Sequence, residues 1–305
     1  MRLLVVGAGS TGGYFGGRLD QAGRDVIFLV RSHRAEQLRK DGLRIVSPHG
    51  DVDLHPALVT ADSLSRTYDA ILLAVKAYSL EAALADMTAA VGPDTLILPV
   101  LNGMRHVEVL TARFGRSRLV GGVCLIATRI DDQGRIVQLT EQHDIAYGEL
   151  NGARSARTQA LDHFMRGAGF NARMSSTIER EMWEKWVLLA SLGAINCLLR
   201  GTIGEIQAAP GGPELTLQLF NEVLAVVDCV GVSPSEAFLS GATSLLTASG
   251  SKQTSSMYRD LERGDLIEAD QIIGDLLARA RKANIATPLL AIAYTQLSIY
   301  QNRRS

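Results

Sequence analysis

Cysteine is scarce in this chain: three residues among 305, at Cys124, Cys197 and Cys229. They stand too far apart to form the close spacing of a zinc site or a redox pair, and so read as buried thiols of a reducing compartment. The six histidines show no close pairing with Cys, Asp or Glu of the kind that holds zinc. Neither sign of charge is in excess: 31 Lys and Arg face 32 Asp and Glu, a net charge of −1. That excludes the basic footprint of a nucleic-acid binder or of a protein drawn to an anionic membrane. Long apolar runs are missing too. The longest candidate, Trp186 to Leu199, is interrupted by Ser191, Gly193 and Asn196, so no membrane span is expected. The first apolar run is short and meets glycine at once, unlike a signal peptide, which makes cytoplasmic residence the default expectation. No internal repeat or low-complexity segment is visible.

What is present begins at once. Arg2-Leu3-Leu4-Val5-Val6 is a short apolar strand that feeds Gly7-Ala8-Gly9-Ser10-Thr11-Gly12, and a helix-compatible stretch runs on to about Gln21. This is Gly-x-Gly-x-x-Gly in the strand–turn–helix context that gives it meaning. Gly7 permits the tight turn, Gly9 lets a pyrophosphate approach the backbone, and Gly12 lets helix and strand pack closely. The free N–H groups of Ala8, Ser10, Thr11 and their neighbours, with the helix dipole, then favour phosphate. A glycine-rich turn without a ligand is the plain alternative. The second strand, Asp25–Val30, ends at Arg31-Ser32-His33-Arg34, where an NAD-preferring site usually carries Asp or Glu. Arg31 offers a charge-assisted fork to a 2′-phosphate, so NADP(H) is expected over NAD(H).

At 305 residues and 47% hydrophobic content, the chain can hold two domains. Strands and helices alternate in its first half. A charged helix is expected over about 33–40, short strands near 43–47 and 52–58, buried strands at 70–75 and 95–100, and a helix over 80–90. Segments 136–140 and 144–148 look like an antiparallel pair at the sheet's far edge. From about residue 176 helical periodicity takes over, with helices expected over 177–199, 213–230, 234–247 and two or three more after 266. The fold class is therefore α/β: a doubly wound, mainly parallel Rossmann domain over 1–175, then an all-helical domain over 176–305. Such a pairing suits a substrate held in the interdomain cleft.

Candidate chemistry lies where the buried strands end. Lys76 and Asn102 come after two of them and fall on the ligand edge of a parallel sheet; a solvated lysine and a turn asparagine are the bland alternatives. Lys185 lies between Trp183 and Trp186, where an amphipathic helix turns apolar. Partial burial there lowers a lysine toward the range of a general acid, although most such lysines reach back to solvent. Thr254 to Glu268 carries hydroxyls followed by carboxylates, which suit a polar substrate or, equally, a loop and a charged helix face.

These pieces, in order, resemble the ketopantoate reductase family (2-dehydropantoate 2-reductases) over nearly the full length. They are Gly7-x-Gly9-x-x-Gly12, Arg31, Val75-Lys76-Ala77-Tyr78, Asn102-Gly103-Met104, Glu181-x-Trp183-x-Lys185, and Ser255-Ser256-Met257 with Asp260 and Glu268 after them. The resemblance implies NADPH as cofactor, a 2-oxo acid as substrate and a homodimer as the assembly. It implies Lys185 as proton donor, Glu268 as the acidic residue at the nicotinamide end, Asn102 touching cofactor and substrate, Ser256 on the substrate carboxylate, and Lys76 and the Ala127 backbone near the cofactor. In one respect the chain departs. Where the family carries two substrate-binding asparagines, one and two turns beyond the lysine, this chain has Leu189 and Gly193. Asn196 lies on nearly the same face but about 16 Å along the axis from Lys185, too far to replace them. Three readings are open: ketopantoate reduction to pantoate in coenzyme A biosynthesis, NADPH-dependent reduction of another 2-oxo acid or ketone, and a dinucleotide sensor without turnover.

Overall fold

The computed structural model describes residues 1–304. The chain divides into two compact units. One comprises Met1–Leu101 with His106–Glu179; the other comprises Asn102–Arg105 with Arg180–Ser305. The short segment holding Asn102 thus belongs with the helices of the second half, not with the strand that precedes it.

The first unit is built on five parallel strands. They are β1 (Arg2–Val6), β2 (Asp25–Leu29), β5 (Ala57–Val59), β6 (Ala70–Leu73) and β7 (Leu96–Pro99), in the order β5-β2-β1-β6-β7. Sequence order reverses between β1 and β6, which is where a doubly wound sheet opens a crevice beyond its strand ends. β6 and β7, and β1 after Arg2, are apolar along their length because both faces are covered. Helix α1 (Ser10–Gln21) and helix α2 (Ser32–Asp41) come after β1 and β2. Tyr14 and Phe15 of α1 are fully buried, with Phe15 edge-on to Phe170 at 5.0 Å. Burial of each such side chain stabilises by about 1.5–3 kcal/mol. Helix α3 (Leu80–Met87) precedes β7, and α4 (Arg105–Phe114) comes after it.

A second sheet completes this unit. β3 (Leu43–Val46), β4 (Val52–Leu54), β9 (Ile136–Gly148) and β10 (Asn171–Met174) run in the order β10-β9-β3-β4, and β8 (Gly121–Ile130) pairs with β9. Here the sequence expectation needs correcting. Residues 136–140 and 144–148 do not pair with each other; both lie on β9 and run antiparallel to β8. No Gly or Pro separates the two halves, so the chain has no turn chemistry with which to reverse. Helix α5 (Ala156–Met165) was not expected either; it starts at Ser155, whose hydroxyl accepts from the Thr158 N–H.

The second unit is helical: α6 (Ile178–Leu199), α7 (Ile203–Ala208), α8 (Gly212–Val230), α9 (Glu236–Leu246), α10 (Ser256–Arg263), α11 (Asp275–Lys282) and α12 (Pro288–Asn302). Against expectation, α6 is long and apolar enough, by length and composition, to cross a membrane; 67% of that stretch is buried inside the protein. Its interruptions Ser191, Gly193 and Asn196 are buried as well, so the helix is a core element. The Glu222 carboxylate on α8 accepts the N–H groups of Leu289 and Leu290 at 3.0 and 2.9 Å, which satisfies the first turn of α12. The expectation of three buried thiols also fails in part: Cys124 and Cys197 are buried, but Cys229 on α8 is exposed.

Candidate active site

The glycine loop after β1 has the shape a dinucleotide needs. Gly7 has φ +99°, and a β-carbon there would stand 2.8 Å from the Ala74 carbonyl oxygen beyond β6. A β-carbon on Gly12 would stand closer still to the Gly7 carbonyl oxygen. At Gly9 an added β-carbon meets nothing within 4 Å. The loop is therefore closed on its strand side and open above Gly9, the side from which a pyrophosphate approaches. Helix α1 has no acidic residue in its first turn, so nothing repels an anion at the N–H groups of Ser10, Thr11 and Gly12.

Arg31 sits at the N-terminus of α2 in extended conformation, exposed and making no capping bond. Arg34, one turn later, carries no signal in the sequence beyond its place beside Arg31, yet the structure ties it to the loop. It is half-buried, and its Nε donates to the Ala8 carbonyl oxygen inside the glycine loop at 3.3 Å. Its Nη1 donates to Gln37 Oε1 at 2.7 Å. Burial pulls this guanidinium below its ordinary value. Two cations therefore stand where an NAD-preferring loop carries a carboxylate. Lys76 is exposed beyond the carboxyl end of β6, before a single 3₁₀ turn. Ala127 falls where the β8–β9 ladder breaks, between Ile126 and Thr128, so its backbone is left out of the ladder.

The helical unit gathers most of the remaining candidates. Lys185 is half-buried on α6, flanked by the buried Trp183 and Trp186. The Trp186 indole N–H donates to the Ile272 carbonyl at 2.9 Å, and the Arg279 guanidinium lies over both indole rings at 5.8 and 5.5 Å. These contacts lock the helix on either side of the lysine. Ile272 belongs to one widened π-helical turn, Asp270–Gly274, ahead of α11. Glu268, 9% exposed, lies just before it, and Asn102 Nδ2 donates to Glu268 Oε2 over a long 3.4 Å. Gln271 Nε2 donates back to the Asn102 carbonyl at 3.3 Å. Gly103 has φ +76°, and a β-carbon there would stand 2.9 Å from the Gln271 carbonyl oxygen. Asn102 and Glu268, 166 residues apart, are thus brought together, and Gly103 is the residue that lets the loop approach.

Ser256 opens α10, capped by Ser255, whose hydroxyl accepts from the Tyr258 N–H. Asn196 explains how that start is held. It is fully buried, its Nδ2 donates to the Gly201 carbonyl and its Oδ1 accepts the Ser255 N–H, both at 2.8 Å. Asn196 positions α10 from behind. Gly193 has a different neighbour: the Met257 methyl lies 2.7 Å from where its β-carbon would stand. Met257 occupies the space that a side chain at 193 would need. The sequence points to Gly193 but not to the methionine that fills its place, because the two are 64 positions apart. The charged-face reading of the stretch after Met257 is correct at Arg263, which pairs with Asp260 and Asp265. Among the described residues, no group of three or more His, Cys, Asp or Glu is placed to hold a metal ion.

Two family models match the chain: ketopantoate reductase PanE/ApbA over residues 3–152, and its C-terminal domain over residues 177–301. The chain belongs to the ketopantoate reductase family. The expected Rossmann domain with a helical domain after it is the architecture found, and the family is one of oxidoreductases acting on CH–OH groups. Among its relatives is the uncharacterized oxidoreductase YkpB of Bacillus subtilis, 36% identical over 301 residues and spanning 99% of both chains. A 2-dehydropantoate 2-reductase of Archaeoglobus fulgidus is 30% identical, covering 93% of this chain and 92% of its own. A solved 2-dehydropantoate 2-reductase from Geobacter metallireducens superposes with TM-score 0.86 at 26% identity, over the whole of both chains. A D-mandelate dehydrogenase solved with NADH and anilino(oxo)acetate shares the fold, at TM-score 0.87, 21% identity and 99% coverage of each chain. The ketopantoate reductase fold thus carries more than one substrate.

Proposed function

We propose that this protein is an NADPH-dependent reductase of a 2-oxo acid, with 2-dehydropantoate as the first candidate substrate. The observation that carries the reading is the half-buried Lys185, fixed by its tryptophan neighbours, in the same unit as the Asn102–Glu268 contact. The glycine loop of Gly7, Gly9 and Gly12 holds the pyrophosphate, and Arg31 with Arg34 receives the 2′-phosphate. Lys76 and the Ala127 backbone lie toward the same cofactor. When bound, the reduced nicotinamide supplies a hydride to the carbonyl carbon. Lys185 hydrogen-bonds the carbonyl oxygen as negative charge builds there and gives it a proton. Asn102 orients substrate and cofactor, Glu268 fixes the Asn102 amide, and Ser256 donates to the substrate carboxylate.

A second reading has its own support. Leu189 and the Gly193–Met257 contact make the substrate face of α6 apolar, where hydroxyl-binding asparagines would favour ketopantoate. A 2-oxo acid with an apolar side chain fits that face better, because a buried polar group without a partner costs about 1–3 kcal/mol. NADPH oxidation measured against ketopantoate and a series of alkyl and aryl 2-oxo acids separates the two. Ketopantoate as the substrate of highest kcat/KM supports the first reading, and an apolar acid supports the second. No oxidation with any member refutes the reductase assignment.

A further inference from the structure

We propose that Arg259 binds the substrate carboxylate, with the Ser256 hydroxyl as the neighbouring donor; this rests on the reading of the protein as a 2-oxo acid reductase. Arg259 lies on α10 three residues after Ser256, so the two share a helix face. Its guanidinium is half-buried, and that burial pulls it below its ordinary value. Nη1 is tied down by the Thr254 carbonyl at 2.8 Å and the Thr254 hydroxyl at 3.2 Å. Among the described residues, Nε and Nη2 make no hydrogen bond; the Asp260 carboxylate acts on the guanidinium through space, and Arg263 opposes it. The Ser256 hydroxyl makes no hydrogen bond either.

The surrounding arginines sharpen the contrast. Arg263, one turn on, is held by Asp260 at 2.5 Å and Asp265 at 2.8 Å, and Arg200 is paired with Glu262 at 2.9 Å. At this end of the unit Arg259 alone among the three makes no direct ion pair; Asp260, whose charge it feels, is bonded to Arg263. A carboxylate ligand would offset the desolvation of the guanidinium. The bonds to Thr254 fix the plane of the guanidinium and leave the Nε–Nη2 edge, the side that grips a carboxylate with two parallel bonds. The location agrees. Met257, next to Ser256, meets α6 at Gly193, eight residues beyond Lys185. That is about 12 Å along the helix; Arg259, two positions after Met257, lies on another face of α10, and its bonds to Thr254 carry the guanidinium back toward the start of that helix, where Ser256 lies. In a 2-oxo acid the carboxylate and the reducible carbonyl are on adjacent carbons, so carboxylate binding at Arg259 requires its free edge and the Lys185 ammonium to meet across one small molecule. Arg259 then selects 2-oxo acids over simple ketones, whatever the side chain against Met257.

The test is calorimetric titration of the NADP+-saturated protein with oxamate, a 2-oxo acid mimic that is not reduced, and with its ethyl ester. Arg259→Gln is expected to weaken oxamate at least about 30-fold, the loss of a charge-assisted pair, while ester and NADPH affinities stay within about twofold. Arg259→Lys keeps the charge without the fork, is expected to bind oxamate about tenfold more weakly, and carries the test if the glutamine variant does not fold. Unchanged oxamate affinity, equal losses for acid and ester, or no oxamate binding by the wild type overturns the proposal. Turnover distinguishes the two levels. Robust 2-oxo acid reduction with oxamate affinity indifferent to Arg259 overturns this assignment alone. Arg259-dependent oxamate binding in a protein that reduces no 2-oxo acid overturns the reductase reading alone.

Discussion

Replacing Asn196 with alanine removes two buried hydrogen bonds in one step and leaves both partners behind. The Ser255 N–H and the Gly201 carbonyl each lose a 2.8 Å contact to a side chain that is 0% exposed. Each orphaned buried group costs about 1–3 kcal/mol, so the pair destabilises by about 2–6 kcal/mol. At about 2–4 °C per kcal/mol, the scale for domains of about 150–250 residues, the melting temperature should fall by about 4–24 °C. Asn196→Asp is the informative companion: it keeps the acceptor for Ser255 but sets a carboxylate oxygen against the Gly201 carbonyl, so it should destabilise comparably. Because Ser255 caps α10, loosening it displaces Ser256, and KM for the oxo acid should rise more than kcat falls. Urea unfolding with circular dichroism and steady-state kinetics read both effects. A loss under about 1 kcal/mol for alanine, with KM unchanged, would show that the amide does not hold the start of α10.

Other expectations rest on the same geometry. Arg31→Glu should invert cofactor preference, measured as the ratio of kcat/KM for NADPH and NADH; equal use of both by the wild type contradicts the 2′-phosphate assignment. His143 stacks on His49 at 3.8 Å and bonds the Tyr14 hydroxyl, and burial holds it below the ordinary histidine value of 6.5. The unfolded chain therefore takes up that proton first, so stability is complete above about pH 6.5 and declines as pH falls below it. His143→Gln should flatten this acid limb in denaturant melts taken across about pH 5–7. The Cys197 thiol is pushed up to about 12 by burial, whereas Cys229 is exposed. A thiol reagent at neutral pH should modify one cysteine in the native protein, Cys229, and three after unfolding; early modification of Cys197 contradicts its burial.

Local chemistry made much of the fold readable. A strand that runs into Gly7, Gly9 and Gly12 commits the next stretch to a helix, and the run Ala70–Leu73 is apolar because it is covered on both faces. Helices α6, α8 and α9 are legible to within a few residues, and Pro213 and Pro288 mark the starts of α8 and α12, whereas α7 is missing from the sequence reading and α10 stays open there between a loop and a helix. The hidden features depend on long-range pairing. Nothing local tells residues 136–148 to remain one strand along β8. Nor does anything local tell Asn102 to meet Glu268, or Met257 to fill the space above Gly193. Asn196 shows the limit well. Its helical face is plain in the sequence and its distance from Lys185 rules it out as a substrate ligand, yet its role depends on Ser255, 59 residues away. Arg34 stands beside Arg31 in the sequence, but its bond to Ala8 joins two loops that only the parallel sheet brings together.

The most direct test of the account is single-turnover NADPH oxidation by Lys185→Ala, run beside wild type on the best 2-oxo acid, with NADPH binding measured separately. Removing the proton donor and the cation at the developing oxyanion should slow the step by about 10²–10⁴, with NADPH affinity within about twofold of wild type. Oxidation at the wild-type rate by Lys185→Ala would contradict the central claim.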